Sequence, residues 1–348
     1  MGRMVVAGGP NMMKMRRWRV VVFGAVAMIS VLTTTFGVAQ EVDHETNAKW
    51  CATAYADPDR RIGACTWLLN SGDLREEYYP TTYYNRGNAY LQGGQCDRAI
   101  RDFGEAIRLK PEARTYNNRG LGYHAKGQFD LAVRDLDEAI SLRPNKASTY
   151  YFRGMVNQDR GQFDLAIRDY DDAIRLNPDY SMAYYNRGVA YSIKGQSDLA
   201  IWDYSEAIRL KPDDGEAYYN RGVEFSTKSQ YARAIHDYDQ AIRLKPDEAR
   251  GYNSLAWLLA TAPSAPIWDG ERAISLARRA VSLSNLSAEL DTLAAAYARA
   301  GQFFDAVATQ ERAIVELRSE GGTDDAIADV QSRLSLYRAG KPYQQEAK

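Results

Sequence analysis

Histidine and cysteine are scarce in this sequence, and their placement narrows the functions it can support. The three histidines, His44, His124 and His236, are too scattered among 348 residues to indicate a metal site or a catalytic triad. The three cysteines include no Cys-x-x-Cys pair, so the sequence has no dithiol redox motif. A nucleophile elbow and a phosphate-binding P-loop are also missing. We therefore expect a protein that is not an enzyme and that has no metal site and no cofactor.

The main part of the chain, after residue 39, carries no excess of positive charge. The whole sequence holds 44 basic and 45 acidic side chains. Five of the basic residues and none of the acidic ones fall within residues 1–39, which leaves 39 basic against 45 acidic side chains in the remainder. Because a net negative chain gains nothing by releasing counterions from a phosphate backbone, we do not expect nucleic acid as a partner.

The main apolar run is short for a membrane span. It covers residues 20–32, whereas a transmembrane helix needs roughly 20 apolar residues. Basic residues precede the run and the small residues Gly37 and Ala39 follow it, which predicts a secretory signal peptide over residues 1–39. We expect an exported, periplasmic protein. The alternative is that this segment stays uncleaved and tethers a periplasmic body to the inner membrane.

The body of the chain is one sequence unit repeated in tandem. Segments of the type YYNRGVAY recur with glycines spaced by 33 or 34 residues, at Gly87, Gly120, Gly154, Gly188 and Gly222. Segments of the type LAIRDYDDAIRLNP follow them and end in prolines with the same spacing, at Pro111, Pro144, Pro178, Pro212 and Pro246. A fixed period of this length is the signature of a repeat architecture.

Each unit predicts two helices joined by a turn. Tyr184, Gly188 and Tyr191 recur at helical spacing in the first half of one unit, and the second half shows the same period. Gly195 lies between the halves, where the chain must turn, and Pro212 ends the second helix. The pattern therefore predicts an all-α fold of stacked helix pairs.

These residues resemble the tetratricopeptide repeat, with its bulky-x-x-x-Gly-x-x-Tyr helix followed by Ala-x-x-x-Phe-x-x-Ala and Pro. Tyrosine stands here in place of the commoner tryptophan, and arginine replaces the usual leucine before the glycine. The resemblance implies an α-solenoid of helix-turn-helix units that forms a right-handed superhelix. With the signal segment, it identifies the chain as an exported bacterial member of that family.

The resemblance also divides the chain into parts. We expect a helical cap over residues 40–79, five regular units over 80–248, two degenerate units over 249–320 with an insertion at 263–270, and a capping helix and tail over 321–348.

Export places the cysteines in an oxidising compartment. Cys51 and Cys65 lie in the same short cap and are the candidate pair for a disulfide. Cys96 occupies a position held by Phe129 or Phe163 in other units, so we expect it to be a buried apolar thiol.

The family likeness implies a groove lined by the first helix of each unit. Its polar and aromatic positions two and three residues before each glycine give the candidate partner-binding residues Tyr84, Asn85, Asn118, Tyr151, Tyr185, Asn186, Tyr219 and Asn220. An asparagine amide can pair with both the N–H and the C=O of a peptide, and tyrosine adds rigid contact area. The alternative is that the asparagines only bridge adjacent units.

Two charged positions recur sixteen residues apart. The arginine before each glycine precedes an aspartate by that distance, in the pairs Arg86–Asp102, Arg119–Asp135, Arg153–Asp169, Arg187–Asp203 and Arg221–Asp237. This spacing links the two helices of one unit, and we expect five structural ion pairs. Glu216, by contrast, is interpreted as an isolated, solvated carboxylate.

Taken together, the sequence favours a protein-interaction scaffold of the cell envelope that binds extended segments of protein partners in its groove. The alternatives are a protein that binds an envelope polymer, glycan or peptidoglycan, and a non-catalytic subunit of an enzyme complex. Trp257 and Trp268 are interpreted as packing of the sixth unit rather than as an extra contact surface.

Overall fold

The computed structural model describes residues 44–54, 57–263 and 268–345, and all regular elements within these ranges are helices. The predicted signal segment, residues 1–39, lies outside the described residues.

The helices follow the predicted order of cap, units and second cap. The cap consists of α1 (His44–Ala52) and α2 (Pro58–Asn70), followed by a 3₁₀ turn over Glu76–Tyr78. The five regular units are the pairs α3 (Tyr79–Gln92) and α4 (Cys96–Leu109), α5 (Ala113–Ala125) and α6 (Phe129–Leu142), α7 (Ala147–Asp159) and α8 (Phe163–Leu176), α9 (Ser181–Ile193) and α10 (Ser197–Leu210), and α11 (Gly215–Thr227) and α12 (Tyr231–Leu244). The two degenerate units are α13 (Ala249–Thr261) with α14 (Gly270–Leu283) and α15 (Ser287–Arg299) with α16 (Phe303–Ser319), and α17 (Asp324–Arg338) ends the array.

We call the first helix of each unit helix A and the second helix B. Helix A packs on helix B of its own unit, and helix B packs on helix A of the next unit. Contacts therefore run between near neighbours along the chain, which is the organisation of a solenoid. The predicted all-α solenoid is confirmed.

Glycine fills two different roles inside a unit. Gly195 adopts a φ of +71°, the left-handed conformation that lets the chain reverse between helix A and helix B of the fourth unit. Gly154 is a packing residue, because a Cβ there would lie 2.7 Å from the ring of the fully buried Tyr170. The aromatic side chain of helix B thus lies directly against the backbone of helix A.

The cap contains a disulfide between Cys51 and Cys65, whose Cα atoms are 4.9 Å apart. Both residues are buried in a small cluster with Ala64 and Leu68. The bond ties α1 to α2 within the cap and restricts the unfolded chain there.

The expectation that Cys96 is a buried thiol is wrong. Cys96 is the first residue of α4 and is partly exposed. Phe129 and Phe163, which begin helix B in the next two units, are partly exposed as well. The first residue of helix B lies beside the turn at the edge of the unit, where its side chain keeps contact with solvent.

Candidate functional site

Five buried ion pairs connect helix A to helix B in the regular units. In each pair the arginine Nε and Nη2 atoms donate to the aspartate at distances between 2.6 and 3.0 Å. The aspartate side chains are at most 9% exposed. Two parallel bonds to one carboxylate fix the geometry of a pair more firmly than a single contact does. The predicted spacing of sixteen residues is confirmed as a link within each unit.

Three of these arginines also reach the preceding unit, a contact that the sixteen-residue spacing does not predict. Nη1 of Arg153 donates to Asp137 at 2.6 Å, and Nη1 of Arg221 donates to the hydroxyl of Ser205 at 2.9 Å. Arg187 makes the equivalent bond to Asp171. One guanidinium therefore fixes helix A against its own helix B and against the helix B before it.

A second set of bonds joins the helices A of successive units. The amide Nδ2 of Asn186 donates to the hydroxyl of Tyr151 at 2.9 Å, and that of Asn220 donates to Tyr185 at 3.0 Å. Asn118 donates to Tyr84 at 3.3 Å. We call Asn118, Asn186 and Asn220 the amide column. The structure brings its predicted members together with the predicted tyrosines, each amide facing the phenol of the preceding unit.

The tyrosines of this site are less exposed than side chains that line an open groove. Tyr151 is 3% exposed and packs on Phe152, Tyr170 and Tyr180, so it offers almost no surface to a partner. Burial raises the pKa of Tyr151 to about 12, and burial likewise raises the pKa of Tyr185 to about 12. Both phenols therefore stay protonated at neutral pH and keep their hydroxyls as hydrogen-bonding groups.

Tyr84 and Tyr219 are half-buried between a ring and a cation. Tyr84 packs on Phe103 and lies 4.7 Å from the guanidinium of Arg114. Tyr219 packs on Tyr238 and lies 4.7 Å from the guanidinium of Arg250. The arginines come from the second position of the following helix A, so the rings are contacts between units as well as candidate binding surface.

Free hydrogen-bonding capacity remains at Asn186 and Asn220 of the amide column, whereas Nδ2 of Asn118 also donates to Asn88 at 2.7 Å. Among the described residues, none donates to the amide oxygen of Asn186 or Asn220, while the oxygen of Asn118 accepts from Asn117 at 3.2 Å. Asn85 belongs to the first regular unit and is partly exposed. An amide held by one bond keeps its oxygen and its second N–H for another partner.

The interpretation of Glu216 as an isolated carboxylate is wrong. Its side chain pairs with Lys245 at the end of its own unit and with Arg250 of the following unit. Burial by itself raises the pKa of Glu216, but the hydrogen bonds from Arg250 and Lys245 outweigh it and leave the pKa below its usual value. Charges that are separated by about one repeat in the sequence are brought together because units stack in register.

Trp257 and Trp268 both pack against the array. Trp268 lies under the guanidinium of Arg299, whose Cζ is 3.9 Å from the ring centroid, and its Nε1 donates to the carbonyl of Ala262 at 2.6 Å. Trp257 lies against Tyr343, with ring centroids 5.9 Å apart. Both contacts are inside the molecule, in agreement with the packing interpretation.

Metal-ligating clusters and membrane-spanning helices are absent from the described ranges. No group of three or more His, Cys, Asp or Glu side chains there has a geometry that could hold a metal ion. None of the helices described is long and apolar enough to cross a bilayer.

Comparisons with known proteins agree with this architecture. Family models described as tetratricopeptide repeat match residues 80–112, 113–146 and 215–248, and one described as TPR repeat matches 158–195 and 190–226. A comparison with curated protein sequences gives no match.

Solved structures similar to the chain include three repeat proteins. The C-terminal part of a TPR repeat-containing protein from Cytophaga hutchinsonii is 18% identical, with 72% of this chain and 99% of that one covered and a TM-score of 0.58. MamA is 28% identical over 46% of this chain and 94% of its own, with a TM-score of 0.44. YrrB, described as a TPR protein with an unusual peptide-binding site, is 22% identical over 58% and 98%, with a TM-score of 0.45.

Fold and site together define an α-helical repeat protein whose units are held in register by polar side chains. The repeat units of the chain belong to the tetratricopeptide repeat family, whose models match residues 80–146 and 158–248. Proteins of this family generally serve as non-catalytic scaffolds for protein interactions.

Proposed function

We propose that this protein is a non-enzymatic scaffold of the cell envelope that binds extended peptide segments along the helix A surface of its regular units. The observation that carries the proposal is the amide column, whose members are held by a tyrosine of the preceding unit. An extended peptide presents N–H and C=O groups at regular intervals, and a row of fixed amides can pair with them with little further loss of side-chain entropy.

The amide column serves two purposes in this proposal. Its bonds to tyrosine stabilise the stacking of units, and the remaining amide oxygen and N–H face a ligand. The structural role uses one donor each of Asn186 and Asn220, so the two roles are compatible there, whereas Asn118 already donates to both Tyr84 and Asn88. Tyr151 contributes to the first role alone because it is almost completely buried.

Two observations support a location outside the cytoplasm. The sequence of residues 1–39 has the pattern of a signal segment. The Cys51–Cys65 disulfide fits an oxidising compartment, since cytosolic thiols are kept reduced. A periplasmic protein follows if the segment is cleaved, and a tethered one follows if it is retained.

The test compares two triple variants in affinity capture from envelope extract. Asn118→Ala/Asn186→Ala/Asn220→Ala removes the amide bonds to the preceding unit, two from Asn118 and one each from Asn186 and Asn220, in the second, fourth and fifth units. Lys126→Ala/Lys194→Ala/Lys228→Ala is the matched control, because it removes one bond to the preceding unit, to Asp97, Asp164 and Asp198 respectively, in the same three units. We expect the asparagine variant to lose protein partners at least tenfold and the lysine variant to keep them, with both chains folded by circular dichroism.

The alternatives give different results in this experiment. If both variants capture the same proteins as the wild type, the amide column is a structural feature and the proposal is wrong. If the captured material is glycan or peptidoglycan rather than protein, the polymer-binding alternative replaces it.

A further inference from the structure

The end of α13 differs from the end of every regular helix A. In the fourth unit, Gly195 turns the chain and the amide of Gln196 returns to the carbonyl of Tyr191 at 2.9 Å. The sixth unit has Thr261, Ala262 and Pro263 at the corresponding place, and Ala262 has the φ and ψ of extended chain. The last carbonyls of α13 therefore need donors from elsewhere.

Those donors come from two distant parts of the chain. Nε of Arg299 donates to the carbonyl of Ala260 at 2.5 Å. The backbone amide of Gln345 donates to the carbonyl of Thr261 at 2.8 Å, and Nε2 of Gln344 donates to the carbonyl of Pro263 at 3.0 Å. The C-terminal segment is thus bonded to the helix end that the insertion left open.

The segment that supplies these bonds, residues 341–345, is called the tail. Gly340 ends α17 with a φ of +67°, which lets the chain reverse direction there. The tail has no regular secondary structure and carries a single aromatic residue, Tyr343. Hydrogen bonds to backbone atoms and the packing of the Tyr343 ring set its course.

The surface under the tail has the features of a peptide-binding pocket. We call Trp257, Trp268, Arg299 and Arg333 the tail pocket. Trp257 and the guanidinium of Arg333 lie 5.9 and 5.5 Å from the Tyr343 ring, and Nη2 of Arg299 donates to the Tyr343 carbonyl at 3.1 Å. The aromatic ring of Trp257 and the guanidinium of Arg333 can pack against one aromatic side chain of an extended peptide. The guanidinium of Arg299 can donate to a backbone carbonyl of the same peptide.

The pocket is held in place independently of the tail. Arg333 is 7% exposed and pairs with Asp291 and Asp329 at 3.0 Å. Arg299 is stacked on Trp268, as described above. Because these arginines are already held in position, little side-chain entropy is lost when a ligand binds.

We propose that the tail is an internal ligand of this pocket, and that the tail pocket binds in trans an extended peptide with one aromatic residue when the tail is displaced. The pocket lies in the sixth and seventh units and α17, outside the amide column. The proposal therefore goes beyond the function proposed above and does not depend on it.

The experiment measures binding of a fluorescently labelled synthetic peptide, GKPYQQEAK, which copies residues 340–348, to the full-length chain by anisotropy. We expect the Tyr343→Ala chain to bind this peptide about tenfold more tightly than the wild-type chain, because a weakened internal ligand competes less. A peptide with alanine in place of its tyrosine should show no such gain. Adding Trp257→Ala to Tyr343→Ala should abolish the gain.

Two controls keep the result unambiguous. Tyr343→Phe retains the ring that packs on Trp257 and should gain less affinity for the peptide than Tyr343→Ala does. Tyr78→Ala, at a half-exposed tyrosine near the other end of the array, should leave binding unchanged. Equal peptide binding by the wild-type and Tyr343→Ala chains, with unchanged helical content, would overturn the proposal. Equal gains in affinity for the peptide with tyrosine and the peptide with alanine would overturn it as well.

The triple asparagine variant should bind this peptide as the wild type does. Failure of this experiment and failure of the groove proposal are therefore separate results.

Discussion

Replacing Asp203 by alanine is expected to lower the free energy of unfolding by about 3 kcal/mol. Asp203 is completely buried, and its carboxylate accepts two bonds from Arg187 at 2.7 and 2.9 Å. Removal of the carboxylate leaves a guanidinium that is 12% exposed without its main partner. The expected loss is at the lower end of the range for a broken buried pair because Arg187 keeps its bond to Asp171.

The matched control removes the other carboxylate from the same arginine. Asp171 is 51% exposed, and the value of such an exposed pair is below about 1 kcal/mol. Asp171→Ala should therefore melt close to the wild type, whereas Asp203→Ala should melt well below it in urea and in thermal scans. Partner capture should be unaffected in both. Equal melting of the two variants would show that the buried pair does not hold helix A to helix B.

Loss of the disulfide is expected to destabilise the cap by about 3 kcal/mol, the value for a closed loop of about fifteen residues. The bonded cysteines are fourteen positions apart and join α1 to α2. Because units in a solenoid contact their neighbours alone, the loss should remain near the amino-terminal end. Hydrogen exchange of Cys51→Ser/Cys65→Ser should accelerate in residues 44–92 and stay unchanged in the fourth and fifth units.

Cys96→Ser is the control for that experiment. Cys96 has a free thiol and is partly exposed, so its replacement should change stability by no more than about 0.5 kcal/mol. Faster exchange spread over the whole array, or the same effect from Cys96→Ser, would contradict the assignment of the disulfide to local bracing of the cap.

The repeating part of the fold was predictable because the same packing and pairing residues recur at the same positions of each repeat. Gly154 must lack a side chain where Tyr170 packs, and Asp203 must pair with the arginine sixteen residues before it. Because these residues recur in five consecutive units with a constant period, few other folds are compatible with the sequence. The helix pairs and the buried ion pairs follow from them.

The candidate site was predictable in its residues but not in its bonds. The positions of Asn186 and Tyr151 could be read from the repeat, whereas the bond between them depends on how far successive units rotate. That rotation is not contained in the sequence period. It also decides that Tyr151 is buried and that Glu216 meets Arg250 of the next unit.

The tail pocket was not predicted from the sequence because it departs from the repeat. Tyr343 lies beyond the last helix, and Arg299 and Trp268 belong to degenerate units whose side chains have no counterparts in the regular ones. A hint was available at Thr261–Pro263, where the missing turn glycine leaves carbonyls without donors. The sequence does not indicate that the donors come from the tail.

The most direct test of the central claim is site-specific photocrosslinking from the surface that carries the amide column. Met182 is 53% exposed and lies one helical turn before Asn186, while Leu199 on helix B of the same unit is 48% exposed. With benzoylphenylalanine at Met182, we predict capture of peptide segments from envelope proteins that disappears in the triple asparagine variant. The same probe at Leu199 should capture none of them. Equal capture at the two positions, or capture that survives the triple variant, would contradict the account.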